Sequence, residues 1–484
     1  MHKKLVFSIV FRILLFVCLV MLVPLGWAVY DNPSSREVSA FVTTILFGIV
    51  VSLFFRVVLK INPKDYEQLS ARDGLAIVGL SWVVLSVFGA LPLYLNQTVP
   101  TFTDAFFEVV SGFTTTGASV LTDIEVQPRG ILFWRSLTHW LGGMGIIVLY
   151  LALLPAIGPS ALQLYKAEVP GIAAERVQPR IRETAKILWT VYFLLSAAQT
   201  ALMMAGGMPF FDALCHTFGT MATGGFSTKS ASIGYYDPYI QWVVIVFMFL
   251  AGTNFLLHYL ALRGQVKAYF KSEEFRIYFG AILLMIAFFA VGLHFSGASD
   301  HPVRHAAFQV VSIFTTTGFV TADFNAWPHV FRILLLVMMF VGGCGGSTGG
   351  GMKVIRTTIA AKVARRSVVQ AVFPSAVMPI RYDGKPLSER IILQVACYFL
   401  IYMMLFFVGS GLFVFLESCD LVTAFAATVA TLSNIGPGLG QVGATQNYAW
   451  VSIPGKWLLS FLMLAGRLEL YSILILLFPL TWRR

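Results

Sequence analysis

Charge is scarce in this 484-residue chain. Only 12% of residues are Asp, Glu, Lys or Arg, against 57% that are hydrophobic, which excludes an ordinary soluble protein of this length. Cysteine is nearly absent as well. Cys18, Cys215, Cys344, Cys397 and Cys419 are odd in number and scattered, so they imply neither a disulfide framework nor a zinc site. No HExxH and no nucleotide loop occurs, so the chain is not expected to be an enzyme.

Apolar runs take up the space instead. Ten candidate spans lie at 5 to 30, 38 to 60, 73 to 96, 131 to 157, 186 to 206, 239 to 262, 277 to 296, 328 to 368, 391 to 416 and 453 to 480, most near the ~20 residues that cross a bilayer. The fold class implied is an all-α integral membrane protein. The first run carries Arg12 and exceeds a signal-peptide core, so it reads as a retained span. With a cytoplasmic N-terminus and alternating spans, most of the 34 Lys and Arg face the cytoplasm, including Lys353, Arg356, Lys362, Arg365 and Arg366, and the C-terminus does too. The net charge of +11 then reflects topology and not nucleic-acid binding. The outer face is left acidic, which would concentrate cations at an external mouth.

Between spans, one pattern recurs four times without a gap: DAFFEVVSGFTTTG (Asp104 to Gly117), DALCHTFGTMATGG (Asp212 to Gly225), HAAFQVVSIFTTTG (His305 to Gly318) and TAFAATVATLSNIG (Thr423 to Gly436). Alanine is second in each copy: Ala105, Ala213, Ala306, Ala424. The helical part, about ten residues, rises ~15 Å and cannot cross a ~30 Å core, so it predicts a re-entrant helix and a turn. Non-helical backbone at that depth belongs beside a water-filled path or inside protein. Four such loops around one axis have the architecture of a cation selectivity filter. Its candidate residues are Thr114, Thr115, Thr116 and Gly117; Ala222, Thr223, Gly224 and Gly225; Thr315, Thr316, Thr317 and Gly318; Ser433, Asn434, Ile435 and Gly436. Carbonyl and hydroxyl oxygens would replace the hydration shell of K⁺, and glycine would permit positive φ. The competing reading is small-residue packing between helices.

Two further features sit inside spans. Seven of the ten positions from Gly342 to Gly351 are glycine, which should interrupt a helix; the segment lacks the lysine and following hydroxyl of a phosphate loop. Arg467 lies near the middle of the last span, where it should face protein or water. Glu469, two positions on, faces another side of a helix and is not an automatic partner, and a structural ion pair with some other carboxylate is one reading of Arg467. His139, His216 and His258 are proton relays or hydrogen-bonded packing residues, and Glu108 is a structural anchor or an ion attractor.

The chain resembles the Trk/Ktr/HKT superfamily of cation transporters over essentially its whole length, in the turns TTTGAS, ATGGFS, TTTGFV and SNIGPG, the glycine segment and AGRLEL. The resemblance implies an N-terminal extra hairpin (1–70) and four pore repeats at 71–165, 166–265, 266–375 and 376–484. It also implies K⁺ as the transported ion, no organic cofactor and a homodimer in the lipid of a bacterial inner membrane. The implied partner is a cytosolic TrkA-like nucleotide-binding (RCK) ring. A gate of Gly345, Gly346, Ser347, Thr348, Gly349, Gly350 and Arg467 below the filter is implied as well. The rival is a secondary K⁺ transporter coupled to H⁺ or Na⁺; such carriers show two inverted halves, whereas here the repeat is fourfold and only the 328 to 368 span is expected to break.

Overall fold

A computed structural model describes residues 1–60, 69–145 and 181–482. Among the described residues the chain is almost wholly helical. The first apolar run folds as α1 (Lys3–Val20) and α2 (Leu22–Asp31) and returns as α3 (Arg36–Leu59), whose first turn is capped by the Ser35 hydroxyl. This hairpin packs on α4 (Ala71–Leu95). Small residues let it close: a side chain on Gly48 of α3 would strike the Cys18 thiol of α1. Phe11 stacks on Phe55 with ring centroids 3.9 Å apart. The far side of α3 exposes Leu46, Val50, Phe54 and Val57, as suits a face turned to lipid.

Four units follow, each a long span, a short re-entrant helix and a second helix. The first is α4, α5 (Phe102–Phe113) and α6 (Arg129–Gly143); the second is α7 (Ile181–Ala205), α8 (Phe210–Met221) and α9 (Pro238–Ala251). After α10 (Phe255–Leu262) and α11 (Lys267–Lys271) come α12 (Glu273–Ser296), α13 (Pro302–Phe314) and α14 (His329–Val341). Helix α15 (Val354–Val372) and a hairpin of β1 (Arg381–Tyr382) and β2 (Lys385–Pro386) lead to α16 (Glu389–Glu417), α17 (Leu421–Leu432) and α18 (Ile453–Arg467). The chain ends in α19 (Tyr471–Leu477) and α20 (Pro479–Trp482). The re-entrant helices α5, α8, α13 and α17 have 12, 12, 13 and 12 residues, about 18–20 Å at 1.5 Å per residue. Oxygens cap two of them: Thr101 accepts from the Asp104 amide and Asp420 from the Thr423 amide.

The expectation of a single broken span is corrected. All four second helices stop early, at Gly143, Ala251, Val341 and Arg467, after 15, 14, 13 and 15 residues. Glycine stands at or beside every stop: Gly142 and Gly143, Gly252, Gly342 and Gly466. At Gly342 the backbone takes φ 79°, where a side chain would be strained. Helices α9 and α10 meet at 101° across their break. The continuation of the expected 131 to 157 span beyond residue 145, and the loop expected at 158 to 185 up to residue 180, lie outside the described residues. Six described helices are long and apolar enough to cross a membrane, and α9 with α10 would make a seventh, bent span.

Candidate functional site

The four Thr/Gly turns have one backbone conformation. Each re-entrant helix ends on a right-handed residue, Thr114, Ala222, Thr315 or Ser433, with φ of −75°, −78°, −82° and −89°. The next residue is left-handed: Thr115 53°, Thr223 53°, Thr316 60°, Asn434 56°. Two residues on, glycine is left-handed again: Gly117 79°, Gly225 81°, Gly318 80°, Gly436 93°. Glycine at positive φ was legible in the sequence, whereas left-handed threonine was not, since a β-branched residue there is an outlier that costs ~1–3 kcal/mol. Helix termination holds it. The amides of Thr116, Gly224, Thr317 and Ile435 reach back five residues to the carbonyls of Ser111, Gly219, Ser312 and Ala430, at 2.9, 2.7, 2.8 and 2.8 Å, the six-to-one bond of a Schellman cap.

The four loops close on one another. A side-chain carbon on Gly117 would fall on the Gly224 carbonyl oxygen, one on Gly225 on that of Thr317, one on Gly318 on that of Ile435, and one on Gly436 on that of Thr116. Each glycine therefore abuts the carbonyl just before the glycine of the next loop, and four steps return to the start. That cyclic order requires a common axis.

Behind the ring, the fifth residue of each copy ties the descending backbone to its helix. In the first copy Glu108 accepts from the Ser119 hydroxyl at 2.9 Å and the Val120 amide at 2.8 Å, and pairs with Arg135 at 2.7 Å. Arg135 also lies over the Phe226 ring, 4.1 Å from its centroid, which joins the first two units. In the second copy His216 meets the Ser227 hydroxyl at 2.9 Å, and in the third Gln309 donates to Thr321 at 3.4 Å. The fourth copy has Ala427, and Tyr448 substitutes: its hydroxyl donates to Gly436 O at 2.7 Å and its amide to Ser119 O at 2.8 Å. Glu108 is thus placed as an anchor.

Both ring nitrogens of each candidate histidine are engaged. His139 meets Gly112 O at 2.7 Å and the Phe226 amide at 3.1 Å; His216 meets Asp212 O at 2.7 Å besides Ser227; His258 meets the Tyr269 hydroxyl at 2.6 Å and Leu250 O at 2.9 Å. They pack and brace. Arg135 was not singled out from the sequence, although a charge inside an apolar run, RGILFWRSLTHW, was the available signal. Lys456, paired with Asp104 at 2.7 Å, is a second such residue. Arg135→Leu is expected to cost about 3–5 kcal/mol by leaving Glu108 buried without its cation, read as a lower unfolding midpoint of the detergent-solubilised protein. An unchanged midpoint would count against the brace.

On the side of the ring glycines lies a small opening of about 90 Å³. Nearby, Glu125 accepts the Ser230 hydroxyl at 2.5 Å and its amide at 2.8 Å. Burial pushes the Glu125 carboxyl up, but those two bonds and the Lys229 charge outweigh it and hold the carboxyl below its ordinary range. On the opposite side the glycine segment splits into two parts. Gly345, Gly346 and Ser347 stand beside the α9–α10 break, where Gly346 O accepts the Phe255 amide at 3.1 Å. Thr348, Gly349 and Gly350 reach under the ring. The Thr348 hydroxyl donates to Met221 O at 3.0 Å and the Gly350 amide to the Thr316 hydroxyl at 2.6 Å. A side chain on Gly350 would strike Ser433 O.

Arg467 joins this segment to the first unit. Its guanidinium donates to Thr348 O at 2.7 Å, and to Gly142 O and Gly143 O at 2.5 and 2.7 Å. Glu469 is separated from it not by helix periodicity but by the end of α18 and the left-handed turn at Glu469 and Leu470, φ 50° and 65°. Glu469 pairs instead with Arg356, which lies 4.2 Å from the Tyr398 ring centroid. Below, a cavity of about 1250 Å³ is lined by Gly145, Asn254, Gly350, Lys353 and Arg467. Among the described residues no cluster of His, Cys, Asp and Glu could hold a metal ion.

Fold and site together define a multi-pass membrane protein in which four re-entrant loops enclose one axis. A profile of the TrkH family, cation transport proteins, matches residues 41–480. The Trk system potassium uptake protein TrkH of Salmonella typhimurium is 43% identical over 429 residues, 87% of this chain and 88% of that one. The Trk system potassium uptake protein TrkG of Escherichia coli K12 is 35% identical over 434 residues, with the same shares. The crystal structure of the potassium transporter TrkH from Vibrio parahaemolyticus matches with a TM-score of 0.88 at 36% identity, over 100% of both chains. The chain belongs to the TrkH family of cation transport proteins, a family of transporters and not of enzymes.

Proposed function

We propose that this chain is a potassium uptake protein of a bacterial inner membrane and that the four-loop ring is its selectivity filter. The observation that carries the reading is the cyclic abutment of the four glycines on the four neighbouring carbonyls, in one repeated conformation. Backbone alternating between right- and left-handed residues can present successive carbonyls to one side, which is what a dehydrated K⁺ requires. The re-entrant helices aim their C-terminal ends below the ring and add partial negative charge there. Relatives named as potassium uptake proteins support the choice of ion.

The glycine segment and Arg467 act as the gate in this proposal. Thr348 to Gly350 obstruct the axis beneath the filter, and Arg467 holds them there while placing a positive charge in the cation path. Opening falls to a cytosolic nucleotide-binding ring of the TrkA type acting on a homodimer, with both termini cytoplasmic; the family and the basic segments support this. The purified protein in a planar bilayer, with K⁺/Na⁺ gradients and with or without that ring, tests the reading. Discrete current steps and a K⁺-selective reversal potential are expected, and smooth, saturating transport tied to H⁺ or Na⁺ would favour the coupled carrier.

Deleting Gly345 to Gly350 is expected to raise rubidium uptake about tenfold in proteoliposomes without the partner, because the obstruction shortens while the filter stays. Such a factor corresponds to about 1.4 kcal/mol. Uptake at the wild-type level would show that the segment does not limit conduction.

A further inference from the structure

Both stems of the glycine segment are held by one side chain outside it. Glu274, in the first turn of α12, is 5% exposed. Its Oε1 accepts the Gly345 amide at 2.6 Å and the Ile355 amide at 3.1 Å, so one carboxylate oxygen bridges the entry of the segment and the start of α15. The segment is also closed on itself, since Lys353 donates to Gly349 O at 2.7 Å and the Val354 amide to Gly343 O at 3.0 Å. Glu274 is the point at which this closed loop is fastened to a long span.

That fastening has a stiff base. The adjacent Glu273 pairs with Lys362 of α15, its carboxylate accepts the Asp383 amide at 3.2 Å, and its own amide donates to Asp383 at 2.9 Å. Asp383 occupies the turn between β1 and β2 at φ 47°. The first turn of α12 is therefore clamped from the hairpin side and grips the segment from the other. A carboxylate is suited to this: it offers more lone pairs than a single backbone donor needs, and bonds to a charged acceptor are about twice as strong as neutral ones.

We infer that Glu274 is a positioning residue of the gate, setting the closed position of Thr348 to Gly350 by holding both stems; this rests on the gate reading above. Removing its carboxylate frees two amides at once and lets the loop leave the axis. Cys344, 1% exposed in the same segment, reports that departure directly, because a released loop exposes its thiol.

The test is rubidium uptake into proteoliposomes holding the full-length protein without a partner, read beside mass-spectrometric labelling of Cys344 by a small methanethiosulfonate. Glu274→Ala is expected to raise uptake about tenfold, within the usual range of a coupling between two states, and to make Cys344 reactive. Glu274→Gln keeps an oxygen of the same reach without its charge and should fall between. The deletion of Gly345 to Gly350 serves as the uptake control. Wild-type uptake and labelling in Glu274→Ala, with high uptake in the deletion, would overturn the inference and leave the gate reading standing. Wild-type uptake in both would overturn the gate reading and the inference with it. If the alanine variant does not fold, Glu274→Gln decides: raised uptake with labelled Cys344 supports the grip, and wild-type values for both overturn it.

Discussion

Gly318→Ser is expected to abolish growth on limiting potassium and to lower K⁺ over Na⁺ discrimination by about tenfold or more. Positive φ alone does not carry this expectation, because Thr316 is left-handed in the same loop and tolerated. The decisive contact is the Ile435 carbonyl oxygen, on which any side-chain carbon at Gly318 would fall, with the Pro437 ring 2.9 Å away. Backbone oxygens cannot give way without turning out of the ring, and a strain of ~1–3 kcal/mol there is a factor of roughly five to a hundred and fifty in equilibrium. Gly207 provides the control: its φ is 85°, yet nothing lies within 4 Å of a side-chain carbon there. Gly207→Ser carries the backbone strain without the collision and should transport normally. If both variants keep the wild-type reversal potential, the ring is not the filter.

Arg467→Ala is expected to raise rubidium flux in the absence of the partner by one to two orders of magnitude. Two effects act in the same direction. The guanidinium bonds to Thr348 O, Gly142 O and Gly143 O are lost, at roughly 1.5–3 kcal/mol for a bond to a charged group, and on the proposed gate reading a positive charge leaves the cation path in a region of low dielectric. Arg467→Lys keeps the charge but cannot span two units with a planar fork, so its flux should lie between. A structural role alone predicts lower thermal stability in Arg467→Ala with no gain in flux, and that pair of results would refute the gating role.

Much of this was legible in the chain itself. The four copies with alanine second and glycine last define re-entrant helices too short to cross, because helix rise and bilayer thickness are fixed quantities. Gly342 to Gly351 read as a break, and Arg467 as a charge facing protein or water, for equally local reasons. The left-handed threonines were not legible, since propensity opposes them and the Schellman cap that holds them forms only once the helix ends there. Nor were the breaks at Gly143, Ala251 and Arg467: one or two glycines in an apolar run fit an unbroken helix as well as a stopped one.

By itself the sequence determined that this is a membrane protein, that its unit is repeated four times, and which residues turn at each loop; composition and periodicity suffice because each is local. Only the tertiary structure decided that the loops abut in cyclic order, that Arg135 braces Glu108 behind them, and that Arg467 and Glu274 fasten one glycine segment from opposite sides. The Arg467 guanidinium also reaches Gly142, 325 positions away. No local rule reaches that far, and the partners are set by where four separate helices stop in the membrane.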